Sequence, residues 1–110
     1  MALSHSNLIK LVLVELSNAR VATAWRVETG VAKSMDNSRV ITFGLKGCSD
    51  ILGITKTGKM ICVEIKIGSD KLRPEQVAFK EMIERNNGHH YVIRNEDEIK
   101  DMINDIKDRV

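Results

Sequence analysis

The chain is poor in cysteine, proline and aromatic residues, with two, one and 4% respectively in 110 residues. Cys48 and Cys62 have no CxxC spacing. That excludes a disulfide framework and a cysteine zinc site; the pair reads as reduced thiols, with a Cys48–Cys62 bridge as the less favoured alternative. His89-His90 has no further Cys or His at ligand spacing, so it is not read as a zinc site either. No apolar run approaches the roughly 20 residues that cross a bilayer, so no membrane partner is expected. Met1 to His5 lack the basic-then-apolar layout of a secretory signal. Together with the thiols, this leads us to expect a cytoplasmic protein. Repeats, low-complexity tracts and linkers are absent, and residues 1–110 read as one domain.

Apolar residues make up 43% and charged residues 29%, the balance of a globular domain with a modest core. The net charge of +2 is unevenly spread. Residues 20–80 carry 11 Lys/Arg against 6 Asp/Glu, and residues 81–110 carry 5 against 8. A basic middle suits a phosphate-backbone partner, although a solvated surface with chance variation explains it almost as well.

Ser4 or Ser6 can cap a first helix running to about Asn18. Leu8, Leu11, Val12, Leu16 and Ala19 share one of its faces, and Glu15 falls on the same face. A carboxylate there needs a partner, whether water or lysine at the stripe edge or a shared site. Thr23–Thr29 reads as a strand with Trp25 in the core, broken by Gly30. Residues 32–38 read as a polar loop, and Arg39–Phe43 as a second strand. Lys33, Arg39 and Lys46, on or beside loops, are candidates for contacts that position a nucleic-acid backbone. Pro74 and Glu75 open a helix that Asn86-Asn87-Gly88 ends, with Gln76, Phe79 and Ile83 on one face. Tyr91–Ile93 is a short strand. Asn95 and Glu98 form a capping box for the last helix, whose Glu96, Asp97, Asp101, Asp105 and Asp108 face solvent.

The stretch with chemistry in it is Met60–Ile67, which has the composition of a buried strand. Alternation puts Glu64 and Lys66 on one face with Cys62, and Ile61, Val63 and Ile65 on the other. The turn Lys56–Lys59 joins this strand to Ile51–Ile54 as a hairpin, which can bring Asp50 beside Glu64. Two neighbouring carboxylates repel unless a proton or cation lies between them, and a hard divalent ion such as Mg²⁺ or Mn²⁺ suits such oxygens. A structural Glu64–Lys66 ion pair is the plain alternative. The element order αββββαβα predicts an α/β domain with a mixed central β-sheet flanked by helices.

Gly44-Leu45-Lys46-Gly47-Cys48-Ser49-Asp50, then Glu64-Ile65-Lys66, then Gln76 at a helix start, resembles the PD-(D/E)xK nuclease superfamily and, more closely, its VRR-NUC family. Arg26-x-x-x-Gly30 and Glu15 extend the resemblance to about Leu8–Ile103. It implies a restriction endonuclease-like fold and a Mg²⁺- or Mn²⁺-dependent endonuclease acting on DNA, of the cytoplasmic, bacterial or phage-encoded type. Asp50, Glu64 and the Ile65 carbonyl would bind metal, with Glu15 completing the acidic shell. Lys66 would serve the attacking water and Gln76 would support it. Arg26 would join Lys33, Arg39 and Lys46 on the DNA. Ser49 departs from the family, which often has proline there. The small standalone members resemble Holliday-junction resolvases, so a branched, four-way substrate and a homodimer are expected. A catalytically inactive DNA-binding module and a nicking or restriction-type endonuclease are the rivals.

Overall fold

Ser4 opens the first helix, its side chain accepting the Asn7 N–H at 3.1 Å. That hydroxyl satisfies one of the amides a helix start leaves without a partner. The computed structural model describes residues 3–28, 30–43 and 45–110, and the backbone alone for residues 30–33 and 41–43. The helix, α1, covers His5–Ala19 and ends at Arg20, whose φ of 56° turns its N–H back onto the Ser17 carbonyl. Leu8, Ile9, Val12 and Leu16 are buried, with Leu11 and Ala19 partly covered beside them.

The strands are β1 (Ala22–Arg26), β2 (Gly30–Lys33), β3 (Val40–Phe43), β4 (Ile51–Thr55), β5 (Met60–Ile65) and β6 (His89–Ile93). Helix α2 (Pro74–Arg85) precedes β6, and α3 (Glu96–Arg109) follows it. The main sheet runs β1-β4-β5-β6, and β2 pairs only with β3 as a separate two-stranded sheet. β1, β4 and β5 are antiparallel neighbours, whereas β6 lies parallel to β5. The β4–β5 turn is tight, with Gly58 at φ +82° and its N–H on the Thr55 carbonyl. A parallel partner needs a long crossover, which α2 supplies. Among the described residues the fold is therefore mixed α/β, with a four-stranded mixed sheet and three helices. Among those residues, no helix is long and apolar enough to cross a membrane.

β5 lies inside the sheet and is covered on both sides, so Ile61, Cys62, Val63, Glu64 and Ile65 are all buried. One face packs Ile51, Ile61, Val63 and Ile65 against Leu8, Val12 and Leu16 of α1 and Ile99, Met102 and Ile106 of α3. The other sets Cys62 against Phe79 and Ile83 of α2.

Three expectations need correction. β2 occupies part of the expected 32–38 loop and starts at Gly30, the expected break, so the order is αβββββαβα. A hairpin supplies the backbone partners that the sequence pattern of β2 does not announce. β6 begins at His89, because parallel pairing with Ile61 and Cys62 of β5 draws both histidines into the ladder. Trp25 is 50% exposed rather than in the core. It pairs across from Leu52 on an edge strand, while its neighbours Ala22 and Ala24 face α1.

Candidate active site

Glu64, the penultimate residue of β5, is only 4% exposed. Its Oε1 accepts the side-chain amide of Gln76 at 3.0 Å. The other end of that amide accepts the Arg73 N–H at 2.9 Å. One side chain thus closes the first turn of α2 and clamps the carboxylate. Lys66 stands just beyond β5, its N–H continuing the ladder to the Ile93 carbonyl at 3.1 Å. Its ammonium is 4.0 Å from Glu64 Oε1, and the side chain is 11% exposed.

Asp50, immediately before β4, accepts the Ile65 N–H on Oδ2 at 2.8 Å. In an extended strand a residue's N–H and C=O point to the same neighbour, so the Ile65 carbonyl opens on this side too. Asp50, Glu64, Ile65, Lys66 and Gln76 therefore converge at one end of the sheet.

Gly47 makes that convergence possible. Its φ is +82°, and a Cβ there would lie 2.2 Å from the Glu75 carbonyl oxygen. Only a residue without a side chain lets the Gly47–Asp50 loop rest on the first turn of α2. Ser49 is buried next to Asp50, and its hydroxyl shares a 3.2 Å hydrogen bond with His90 Nε2. That bond to β6 holds the loop where a proline ring would have stiffened it.

Burial, first, and the Asp50 carboxylate, second, raise the Glu64 pKa to about 7. The pull of Lys66 in the opposite direction is weaker, as a 4.0 Å separation suggests. Glu64 Oε2 is buried with no hydrogen-bond partner. Cys48 borders the same cluster; burial, then the negative charge of Glu64, raise its thiol pKa. Burial also pushes the Cys62 thiol up to about 12. Both cysteines are free, and neither is a ready nucleophile.

Glu15 does not join the cluster. α1 reaches it with its first residue instead: His5 Nε2 is 3.4 Å from Asp50 Oδ2. Glu15 follows ten residues later, about 15 Å along the axis at a helix's rise of about 1.5 Å per residue. The second half of α1 lies elsewhere: Leu13, Ser17 and Arg20 line a hollow with Ile54, Thr55 and Lys56, at the far end of β4 from Asp50. The expected ring of three carboxylates is therefore not formed. Among the described residues, no three His, Cys, Asp or Glu side chains stand grouped as a finished cation cage.

Of the expected DNA contacts, Arg26 ends β1 opposite Ile51, and the adjacent Val27 N–H binds the Asp50 carbonyl at 2.8 Å. Lys46 is exposed in the turn before Gly47. These two flank the site. Arg39 instead lies at the tip of the β2–β3 hairpin, bonded to Ser34. The Lys33 side chain and all of Gly44 lie outside the described residues.

Sequence reasoning missed His5, Arg73 and the Ser49–His90 bond. A helix-start histidine carries no pattern of its own, and Arg73 becomes relevant only once α2 points at Glu64. No protein-family model matches the chain, and none of the characterised proteins compared with it matches either.

Proposed function

We propose that the chain is a divalent-metal-dependent nuclease of the PD-(D/E)xK class, with a restriction endonuclease-like domain closest in its motifs to the VRR-NUC family, hydrolysing DNA phosphodiesters. The observation that carries this reading is the unpartnered, buried Oε2 of Glu64, beside Asp50 and within reach of Lys66. A purely structural ion pair would bring the lysine closer and would not need a second carboxylate. Two crowded carboxylates, one with an orphaned oxygen, fit a hard divalent cation, Mg²⁺ or Mn²⁺.

Asp50, Glu64 and the Ile65 carbonyl would hold the ion. When bound, such an ion supplies Lewis acidity toward a phosphate oxygen and makes a water more acidic. Gln76 keeps Glu64 in one orientation. The Ile65 N–H does the same for Asp50. The Lys66 ammonium, largely shielded from solvent, orients a water by hydrogen bonding or offsets charge growing on the phosphate. Arg26 and Lys46 hold the DNA backbone at the rim.

One domain carries one such site, so cutting both strands of a branched substrate calls for a twofold dimer and favours a four-way junction. Labelled junctions, flaps and duplexes incubated with and without Mg²⁺ or Mn²⁺ test the reading. Metal-dependent cutting is expected, strongest on junctions. No cutting of any substrate with either ion would refute the nuclease. The missing third carboxylate favours a second reading, an inactive DNA-binding module. That module would bind these DNAs but show no heat of Mg²⁺ or Mn²⁺ binding in calorimetry.

A further inference from the structure

We propose that two copies of the chain join through the free edge of β1, so that their four-stranded sheets become one sheet across a twofold axis. The twofold dimer invoked above for a branched substrate would use this interface. The interface itself goes beyond that reading, because it follows from the strand edge and not from the site.

Among the described residues, β1 ends the main sheet and pairs with β4 alone. Just past it, Val27 donates its N–H to the Asp50 carbonyl, continuing the same register. Backbone groups alternate in direction along an antiparallel strand, so Thr23 and Trp25 also turn theirs toward β4. The Thr23 carbonyl indeed lies against Gly53 of β4. Ala22, Ala24 and Arg26 therefore aim their N–H and C=O groups outward. Such an edge is a template for another strand unless lysine, proline or a bulge blunts it, and β1 carries none of these. The opposite edge, β6, is guarded. Glu98, Asp101 and Asp105 of α3 line the hollow alongside it against Arg109 alone, so two copies meeting there would repel.

A second observation is the surface beside that edge. Trp25, Ile54 and Met60 are 50%, 48% and 39% exposed. Across the strands Ile54 lies between Thr23 and Met60, and Leu52 lies between Trp25 and Cys62. All are on the face where α2 covers Cys62 but leaves Trp25, Ile54 and Met60 open.

The occupant is a second copy because the strand complements itself. A twofold axis normal to the sheet at Ala24 sets Ala24 against its own copy, Ala22 against Arg26 of the second copy, and Thr23 against Trp25 of the second copy. This register aligns all five residues of β1 and meets outward backbone groups with outward backbone groups. Thr23 and Trp25 then form the close, non-hydrogen-bonded pairs, in which side chains approach nearest. Each indole lies across a small threonine and extends the row Met60–Ile54–Thr23 into a longer apolar strip. Arg20, exposed ahead of β1, comes to the end where Glu28 of the second copy, exposed beyond it, lies. The twofold makes that opposite-charge pair twice. A two-residue slip would leave three of the five residues paired, and in one direction it would set Arg20 against Arg26 of the second copy.

Sedimentation velocity of the full chain, from low to high micromolar concentration, tests the interface. Fluorescence of Trp25, the sole tryptophan, is a second readout. A monomer–dimer equilibrium is expected, with the emission moving to the blue as dimer forms. Ala24→Pro removes the central outward N–H from both copies, at a place where an edge strand tolerates proline. It should weaken the dimer about tenfold or more. Arg20→Glu should weaken it about tenfold, and adding Glu28→Arg to that variant should restore it. Arg20 and Glu28 are both exposed, so the charge exchange is decisive even if the proline variant does not fold. A parent that stays monomeric throughout overturns the proposal and leaves the edge to an extended segment of another protein. A dimer indifferent to Ala24→Pro and Arg20→Glu, or one that Glu28→Arg fails to rescue, places the contact elsewhere and overturns it too. Metal-dependent cutting is read separately, so either result leaves it standing.

Discussion

The two faces of β5 make opposite use of the same alternating pattern. On the side of α1 and α3, Ile61, Val63 and Ile65 join a buried apolar cluster. On the side of α2, Cys62 and Glu64 meet Phe79, Ile83 and Gln76, and the polar pair Ser49–His90 lies close by. The first face buries apolar area and returns stability. The second buries a carboxylate whose pKa is raised to about 7 and a histidine whose pKa is lowered to about 4, chiefly by burial. Each of those groups resists being charged where it is, so this face weakens the fold to hold a reactive arrangement.

Variants can separate the two faces. The largest effect belongs to the polar side. Lys66→Ala should lower metal-dependent cleavage by about 10³-fold, on the order of 4 kcal/mol in the barrier. Its thermal midpoint should stay within a few degrees of the parent, because the lysine only grazes Glu64. Unchanged cleavage would end the assignment of the site. Next is the apolar side: Leu16→Ala, at a fully buried position, should cost about 3 kcal/mol in urea unfolding and leave the metal affinity of the folded protein alone.

Third, Mn²⁺ at about 100 times its dissociation constant should stabilise the parent by about 2.7 kcal/mol. Glu64→Gln should lose that gain while being no less stable than the parent without metal, since a buried carboxylate becomes a neutral amide. A metal-induced thermal shift that persists in Glu64→Gln would place the ion elsewhere.

The smallest effect is set by His90. Its folded pKa of about 4 lies below its ordinary 6.5. The stability tied to its neutral form is therefore complete above about pH 6.5 and drains away as pH falls toward 4. The loss should be on the order of 1 kcal/mol once partial solvent access is allowed for. His90→Gln, followed by urea unfolding across that range, should flatten the slope.

Much of this was legible beforehand because it depends on short-range rules. Ser4 and Asn95 cap their helices as their side-chain chemistry predicts. Glu64 shares a face with Cys62 because strands alternate, and Gln76 joins Phe79 and Ile83 because helices repeat every three to four residues. Trp25 and β2 were misjudged for a shared reason. Whether an edge strand is covered, and whether a polar stretch finds a pairing partner, depends on neighbours distant in sequence.

Residue order and periodicity were enough to establish the strand that carries Glu64 and leads into Lys66, the glycine turn ahead of Asp50 and the helix face that carries Gln76. They were silent on which end of α1 would meet Asp50. A helical stripe reports rotation about the axis but nothing about position along it, and one end of α1 offers a glutamate where the other offers a histidine. Packing of Leu8, Ile9, Val12 and Leu16 against the sheet made that choice, and it brought His5 to Asp50.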